Sequence, residues 1–130
     1  MTIYLDTNYL IRFFTKDIPE QAQKAKETLS KTKKIYIATI VLAETVFILE
    51  NHYQARKLDI CESLFAFIKQ PNISSPQFTP LALTIYKGEN ISFYDCLLIA
   101  ETLENKAKLE SFDIKLMKIF KKYEKYQEVK

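Results

Sequence analysis

Four acidic side chains, widely separated along the chain, are the residues whose type and position could do chemistry. They are Asp6, Glu44, Asp95 and Asp113. Carboxylates that converge repel one another, and a bound divalent cation is the natural way to neutralise them. Oxygen ligands without His or Cys suit Mg²⁺ or Mn²⁺, and Mg²⁺ typically completes its shell with waters and substrate phosphate oxygens. Because such an ion polarises a phosphate and lowers the pKa of an attacking water, the four acids together predict phosphodiester hydrolysis.

Taken singly, the three aspartates also have an ordinary structural interpretation. Asp6 and Asp113 each stand immediately before a predicted helix, where Asp is a favoured N-cap residue. Asp95 follows Ser92 by three residues, which is the spacing of a capping box. The helix-capping role and the chemical role therefore both stay open for these three residues.

Glu44 lies within the apolar segment IYIATIVLAETVFILE, and a helix there surrounds it with large hydrophobic side chains. The neighbours three and four positions away are Ile40, Val41, Phe47 and Ile48. We therefore expect a buried carboxylate, which costs several kcal/mol unless a cation, a proton or hydrogen bonds compensate. The alternative is an amphipathic helix whose polar stripe includes Glu44 and Asn51.

The elements that must position these acids follow from the periodicity of apolar residues. Strands are predicted at 2–6, 35–38 and 109–112, and helices at 8–14, 19–31, 40–52, 55–70, 79–87, 92–105 and from 114 onward. Helices alternating with short strands indicate an α/β layer fold, in which parallel strands present ligand sites at their carboxyl ends. Asp6 and Asp113 would both lie at such ends.

Length and composition indicate one folded domain spanning residues 1–130, since 48% of the residues are hydrophobic. The net charge of +3 is compatible with a polyanionic partner but does not indicate one. A single glycine excludes the glycine-rich loops that cradle phosphates and dinucleotides. No basic leader and no apolar run of membrane-spanning length occurs, so we expect a cytoplasmic protein without a membrane partner.

The chain has few cysteine and histidine residues. Two cysteines and one histidine cannot complete a structural zinc site without carboxylates. Cys61 and Cys96 lie in apolar helical patterns, where a cysteine usually behaves as a small buried hydrophobe and no disulfide is expected. A hydrolase using either thiol with His52 is a remote alternative, because apolar surroundings disfavour the thiolate.

Four short motifs containing the acids resemble those of the PIN-domain ribonucleases, and especially of the VapC-type toxins of toxin–antitoxin pairs. They are YLDTNYL at 4–10, VLAE at 41–44, YDCLLIAETL at 94–103 and SFD at 111–113. Each motif is weak alone, but their order and spacing agree over nearly the whole chain. The resemblance implies a PIN-like three-layer α/β fold with a short, mostly parallel central sheet flanked by helices.

The same resemblance implies an endoribonuclease that hydrolyses RNA with Mg²⁺ or Mn²⁺, forms a homodimer and is inhibited by a cognate antitoxin protein. Asp6, Glu44, Asp95 and Asp113 would be the catalytic, metal-binding acids, with Thr7, Asn8 and Ser111 in supporting roles. The alternatives are a housekeeping PIN nuclease and a PIN-like module that binds RNA or protein without cutting it.

Cations near the motifs have two interpretations. Arg12, one helical turn beyond Asn8, could hold an RNA phosphate with its planar guanidinium, or it could pair with a surface acid. Lys24, Lys26 and Lys31 have the pattern of an ordinary exposed helix. The lysine-rich C-terminal segment predicts a solvated helix end, with a basic contact to nucleic acid as the alternative.

Overall fold

The structure, a computed structural model, describes residues 1–129 and the side chains of residues 1–127. The chain forms two compact units, Met1–Pro76 and Gln77–Lys130. The first contains β1 (Ile3–Tyr4), α1 (Thr7–Thr15), α2 (Pro19–Lys31), β2 (Ile35–Tyr36), α3 (Thr39–Asn51), α4 (Lys57–Ile68) and β3 (Ile73–Ser74). The second contains α5 (Thr79–Gly88), α6 (Phe93–Glu104) and α7 (Ile114–Val129).

The sheet of the first unit has the order β1-β2-β3, and both pairs of neighbouring strands are parallel. Ile35 in the central strand is opposite Ile3 on one side and Ile73 on the other. This confirms the predicted α/β class and the short parallel sheet. Although its sequence is apolar, β1 is an edge strand whose Ile3 and Tyr4 are exposed.

The third strand escaped prediction because its two residues lie among loop-forming residues. β3 is only two residues long and lies between Pro71 and Pro76. Pairing with β2 creates it, through hydrogen bonds from the Ile35 amide to the Asn72 carbonyl and from the Ile37 amide to the Ser74 carbonyl, both 2.9 Å. The Asn72 side chain also donates to the carbonyls of Leu29 and Thr32 at the end of α2, at 2.7 and 2.9 Å.

The strand predicted at 109–112 does not form, and Asp113 consequently does not follow a strand. Residues 107–111 have no regular secondary structure, and Phe112 is fully exposed. A strand exists only when a neighbouring strand satisfies its backbone groups and its apolar face is buried. Neither condition holds for this segment, so the apolar residues Leu109 and Phe112 do not make it a strand.

The helices of the first unit pack around α1, which contacts both α2 and α3. Lys16, in the left-handed conformation with φ of 56°, ends α1 and donates its amide to the Arg12 carbonyl at 3.0 Å. The chain then reverses into α2, which begins with Pro19 at a position where the missing amide is harmless. This reversal brings Arg12 of α1 within hydrogen-bonding distance of Gln21 of α2.

In the second unit, α6 packs against both α5 and α7. The rings of Tyr86 and Phe93 meet edge to face with centroids 5.2 Å apart. Cys96 in this unit and Cys61 in the first are both buried, as predicted. No helix within residues 1–129 is both long enough and apolar enough to cross a bilayer.

Thr45, on the buried side of α3, generates a prediction about stability. Its side chain is fully buried, and its hydroxyl has no hydrogen-bond partner among the described residues. A buried hydroxyl without a partner costs about 1–3 kcal/mol. Replacing Thr45 with the nearly isosteric Val should therefore raise the free energy of unfolding by about 1 kcal/mol in urea titrations.

Thr45→Ser is the matched control, because it keeps the hydroxyl and removes only a buried methyl group. It should lower the free energy of unfolding by about 1 kcal/mol. A Thr45→Val variant less stable than the wild-type chain would show that the hydroxyl makes a stabilising hydrogen bond.

Candidate active site

Asp6 is the N-cap of α1 and lies two residues beyond the carboxyl end of β1. Its Oδ1 accepts a hydrogen bond from the Tyr9 amide at 3.1 Å, which satisfies one of the unpaired N–H groups at the helix start. The capping role considered for Asp6 is therefore correct. Its Oδ2 accepts no hydrogen bond from the residues described, and the side chain is exposed. The cap thus fixes the carboxylate while leaving one oxygen for another ligand.

A cavity of about 330 Å³ lies beside Asp6, between α1 and α2. Its lining consists of Asp6, Asn8, Tyr9, Arg12, Gln21 and Lys24. Among the predicted site residues, Asp6, Asn8 and Arg12 are thus brought together. Thr7, predicted beside them, is buried and does not line this cavity. The cavity carries one carboxylate and two cationic groups, a combination suited to an anionic ligand next to an acid.

Arg12 is held in place by three side chains. Its Nε donates to Gln21 Oε1 at 2.9 Å, and its Nη1 donates to Asp17 Oδ1 at 3.3 Å and to Tyr53 Oη at 3.4 Å. The Tyr53 hydroxyl in turn donates to Asp17 Oδ2 at 2.5 Å, and Thr15 Oγ1 donates to Asp17 Oδ1 at 2.9 Å. These hydrogen bonds, first that of Tyr53 and then that of Thr15, lower the pKa of the Asp17 carboxyl, and the Arg12 charge adds to the effect.

Glu44 requires a correction, because its side chain is exposed rather than buried. It shares the outer face of α3 with Ile40 and Phe47, which are themselves 61% and 48% exposed. The neighbouring apolar residues therefore do not bury the carboxylate, and the expected desolvation cost does not arise. The alternative of an outward stripe that includes Glu44 and Asn51 describes α3 better, although this stripe is partly apolar. A role for Glu44 must rest on its place in the second motif.

The second unit contains Asp95, in the first turn of α6, and Asp113, which caps α7. Ser92 caps α6 by accepting the Asp95 amide on Oγ at 3.2 Å, which confirms the predicted cap, and Asp95 is half-buried. Asp113 precedes α7, and its Oδ1 accepts the Leu116 amide at 3.1 Å. Ser111 supports this turn, since its Oγ accepts the Asp113 amide at 3.0 Å.

The loop before α6 is tied to α7 by charged hydrogen bonds. Lys122 Nζ and the Tyr123 hydroxyl both donate to Glu89 Oε2, at 2.7 and 2.9 Å, and Lys115 Nζ donates to the Asn90 carbonyl at 2.7 Å. The Lys122 bond, assisted by Tyr123, lowers the pKa of the Glu89 carboxyl against the opposing effect of burial. Burial and the bond to Glu89 raise the pKa of Tyr123 to about 12. These contacts fix the start of α6, and hence Asp95, against α7.

Sequence reasoning missed four residues of the first unit, namely Asp17, Gln21, Lys24 and Tyr53. Lys24 was interpreted as an ordinary exposed lysine, and it is exposed, but it also lines the cavity. The spacing of Gln21 and Lys24 places them on one face of α2, which was a usable signal. This face of α2 contacts Arg12 only because the chain reverses at Lys16. The periodicity of the sequence does not predict that reversal.

The oxygen-rich side chains suit a hard divalent cation such as Mg²⁺ or Mn²⁺. Within residues 1–129, no group of three or more His, Cys, Asp or Glu side chains forms a preassembled metal cage. Mg²⁺ is usually bound by one or two carboxylates together with waters and substrate phosphates, so a cage is not required. The unused Oδ2 of Asp6 is the kind of ligand that such an ion takes.

The PIN domain family matches residues 3–124, and the chain therefore belongs to this family. PIN domains are generally nucleases, hydrolases that act on RNA and typically use divalent metal ions. Membership thus indicates a nuclease-type function. No curated protein and no solved structure matches the chain significantly.

The hydrogen bonds of Glu89 generate a prediction about pH. Because its folded-state pKa lies below the ordinary value of 4.5, the stabilisation is present above that pH and is lost as the pH falls below it. Glu89→Gln should lower the free energy of unfolding by about 1 kcal/mol at pH 7. The difference from the wild-type chain should shrink below about pH 4.5 in denaturant titrations.

Glu104→Gln is the control, since Glu104 is an exposed carboxylate at the end of α6. Its free energy of unfolding should follow the wild-type curve across the whole pH range. A constant difference between Glu89→Gln and the wild-type chain from pH 7 to pH 3 would contradict the role assigned to the ionised Glu89.

Proposed function

We propose that this protein is a metal-dependent endoribonuclease and the toxin component of a toxin–antitoxin pair. Asp6, Glu44, Asp95 and Asp113 are assigned as the catalytic acids that bind Mg²⁺ or Mn²⁺. The observation that carries the proposal is the Asp6 carboxylate, fixed by the cap of α1 with one oxygen unused beside a cavity that also holds Arg12 and Lys24. Membership of the PIN domain family supports the same conclusion.

The side chains of Asp6, Asp113 and Asn8 would orient the metal ion and the substrate. Asp6 and Asp113 each use one carboxylate oxygen for a helix amide, so both are held in one orientation at no further entropic cost. Asn8 lines the same cavity as Asp6 and can donate from its amide to a phosphate oxygen. When bound to these acids, a divalent ion would polarise the scissile phosphate and lower the pKa of the attacking water.

Two other functions stay open as alternatives, a housekeeping PIN nuclease and a PIN-like module that binds RNA or protein without cutting it. The caps of Asp6 and Asp113 alone do not favour the nuclease, since Asp is an ordinary N-cap in helices that bind no metal. A hydrolase using Cys61 or Cys96 with His52 loses support, because both thiols are buried whereas His52 is exposed. A cognate antitoxin and a homodimer remain part of the proposal.

Cleavage of single-stranded RNA in Mn²⁺ tests the catalytic role. Asp6→Asn should reduce the cleavage rate on the order of 100-fold or more, as expected when one charged group of an active site is lost. Because Asn is as good an N-cap as Asp, the melting temperature measured without metal should change little. The measurement is the single-turnover rate on a fluorescent oligoribonucleotide, with circular dichroism melting for the fold.

Asp59→Asn is the matched control, since Asp59 is an exposed carboxylate in the first turn of α4 that pairs with Arg56 at 3.1 Å. It should cleave at the wild-type rate. Cleavage that persists in excess EDTA, or in Asp6→Asn at the wild-type rate, would contradict the proposal.

The same variants separate a toxin from a housekeeping enzyme. Induced expression of a toxin should arrest growth with the wild-type chain and not with Asp6→Asn.

Metal binding should also stabilise the folded chain. Mn²⁺ at about a hundred times its dissociation constant should raise the free energy of unfolding by about 2.7 kcal/mol. The shift should be smaller in Asp6→Asn and Asp95→Asn and unchanged in Asp59→Asn, as measured by thermal denaturation across a Mn²⁺ titration. A melting curve insensitive to Mn²⁺ would contradict the metal assignment independently of any activity.

A further inference from the structure

The guanidinium of Arg12 is unusually restrained for a residue near the surface. Its side chain is 20% exposed, and three other side chains fix its Nε and Nη1 atoms. A free arginine side chain loses about 2 kcal/mol of conformational entropy when it is immobilised. In the folded chain this entropy has already been lost, because Arg12 is hydrogen-bonded to Gln21, Asp17 and Tyr53. A ligand that binds Arg12 therefore loses no further free energy by immobilising it.

The donors that remain on Arg12 belong to Nη2, which makes no hydrogen bond to any residue described. Arg12 lines the cavity beside Asp6, and Lys24, which forms no ion pair within the described part of the chain, lines it as well. The two unused N–H groups of Nη2 and the ammonium group of Lys24, in one concave site, match the oxygens of a phosphate group.

The size of the cavity limits the ligand. A volume of about 330 Å³ lies at the lower end of the range for small-molecule sites, roughly 300–1,000 Å³, and takes a phosphate with part of its nucleoside rather than a protein segment. Tyr9, which is half-buried in the lining, offers an aromatic surface of the kind on which RNA bases stack. The neighbouring Asp6 places this ligand next to the assigned catalytic acid.

We infer that Arg12 and Lys24 form a preorganised subsite for a backbone phosphate of single-stranded RNA, and that Asp17, Gln21 and Tyr53 are positioning residues for Arg12. This inference rests on the proposed function, because it takes the RNA substrate from it. It adds the binding role of Lys24 and the dependence of Arg12 on an acid that does not itself touch the substrate.

Asp17 makes the inference sharply testable. If Arg12 acted only through its charge, removal of the Asp17 carboxylate would raise the local positive potential and tighten RNA binding. If Asp17 instead holds Arg12 in its binding orientation, removal must weaken binding although the net charge becomes more positive. The two explanations therefore predict effects of opposite sign for the same substitution.

The experiment measures fluorescence anisotropy of a labelled single-stranded oligouridylate in excess EDTA, where the proposed cleavage cannot occur, across a salt titration. Arg12→Gln should weaken binding about tenfold and lower the salt slope by about 1, as expected for loss of one phosphate contact. Lys24→Gln should behave similarly. Asp17→Asn should weaken binding several-fold, and Tyr53→Phe should weaken it without altering the salt slope.

Arg56 and Asp59 provide the matched controls, because they form another Arg–Asp ion pair, at the start of α4, and line no part of this cavity. Arg56→Gln should have a much smaller effect than Arg12→Gln, and Asp59→Asn should leave binding unchanged or slightly tighter. Melting curves identify any variant that fails to fold, and Tyr53→Phe, which changes no charge, then decides the positioning role.

Three results would overturn the inference. They are tighter binding by Asp17→Asn, equal losses in Arg12→Gln and Arg56→Gln, and no measurable binding by the wild-type chain. These results are distinguishable from failure of the proposed function, which appears as absence of Mn²⁺-dependent cleavage while the binding differences persist in EDTA.

Discussion

The start of each helix imposes the constraint on which the candidate site depends. The first amides of an α-helix have no partner within the helix and must be satisfied from outside it. Asp6 and Asp113 provide that partner with one oxygen each, through the amides of Tyr9 and Leu116. The capping bond locks the carboxylate in one orientation, and a carboxylate has a second oxygen. Structural and chemical roles are therefore compatible in the same residue, and evidence for one does not exclude the other.

A second constraint comes from charge compensation in the first unit. Arg12 is hydrogen-bonded to a carboxylate, a carboxamide and a hydroxyl, which together fix its position. Its Nη2 donors stay unused among the described residues. Hydrogen bonds from Tyr53 and Thr15, assisted by the Arg12 charge, lower the pKa of the Asp17 carboxyl and so stabilise its ionised form. The pair is partly exposed, so its contribution to stability is small, and its main effect is to fix geometry. A fixed cation next to Asp6 favours an anionic ligand in that cavity.

Much of the fold could be predicted because local rules and tertiary packing agree. The helix at 19–31 was predicted with its observed bounds, since Pro19 begins it and its apolar residues repeat on one face. The cap by Ser92 was likewise visible in the spacing to Asp95. Strands were predicted less well, because β3 exists only through its pairing with β2, whereas the apolar segment at 109–112 has no strand to pair with. A two-residue strand carries too little sequence for any periodicity to be seen.

In the candidate site, too, some features could be predicted from the sequence and others depend on tertiary packing. The sequence by itself determined which acids could act, which helices they begin, and that the chain has the motifs of the PIN domain family, because caps and motifs are local patterns of a few residues. Only the tertiary structure decided that Glu44 is exposed and that Asp17, Gln21 and Tyr53 surround Arg12. The physical reason is that burial and long-range hydrogen bonds depend on which helix faces meet. The left-handed turn at Lys16 sets the meeting of α1 and α2, and no repeat in the sequence encodes it.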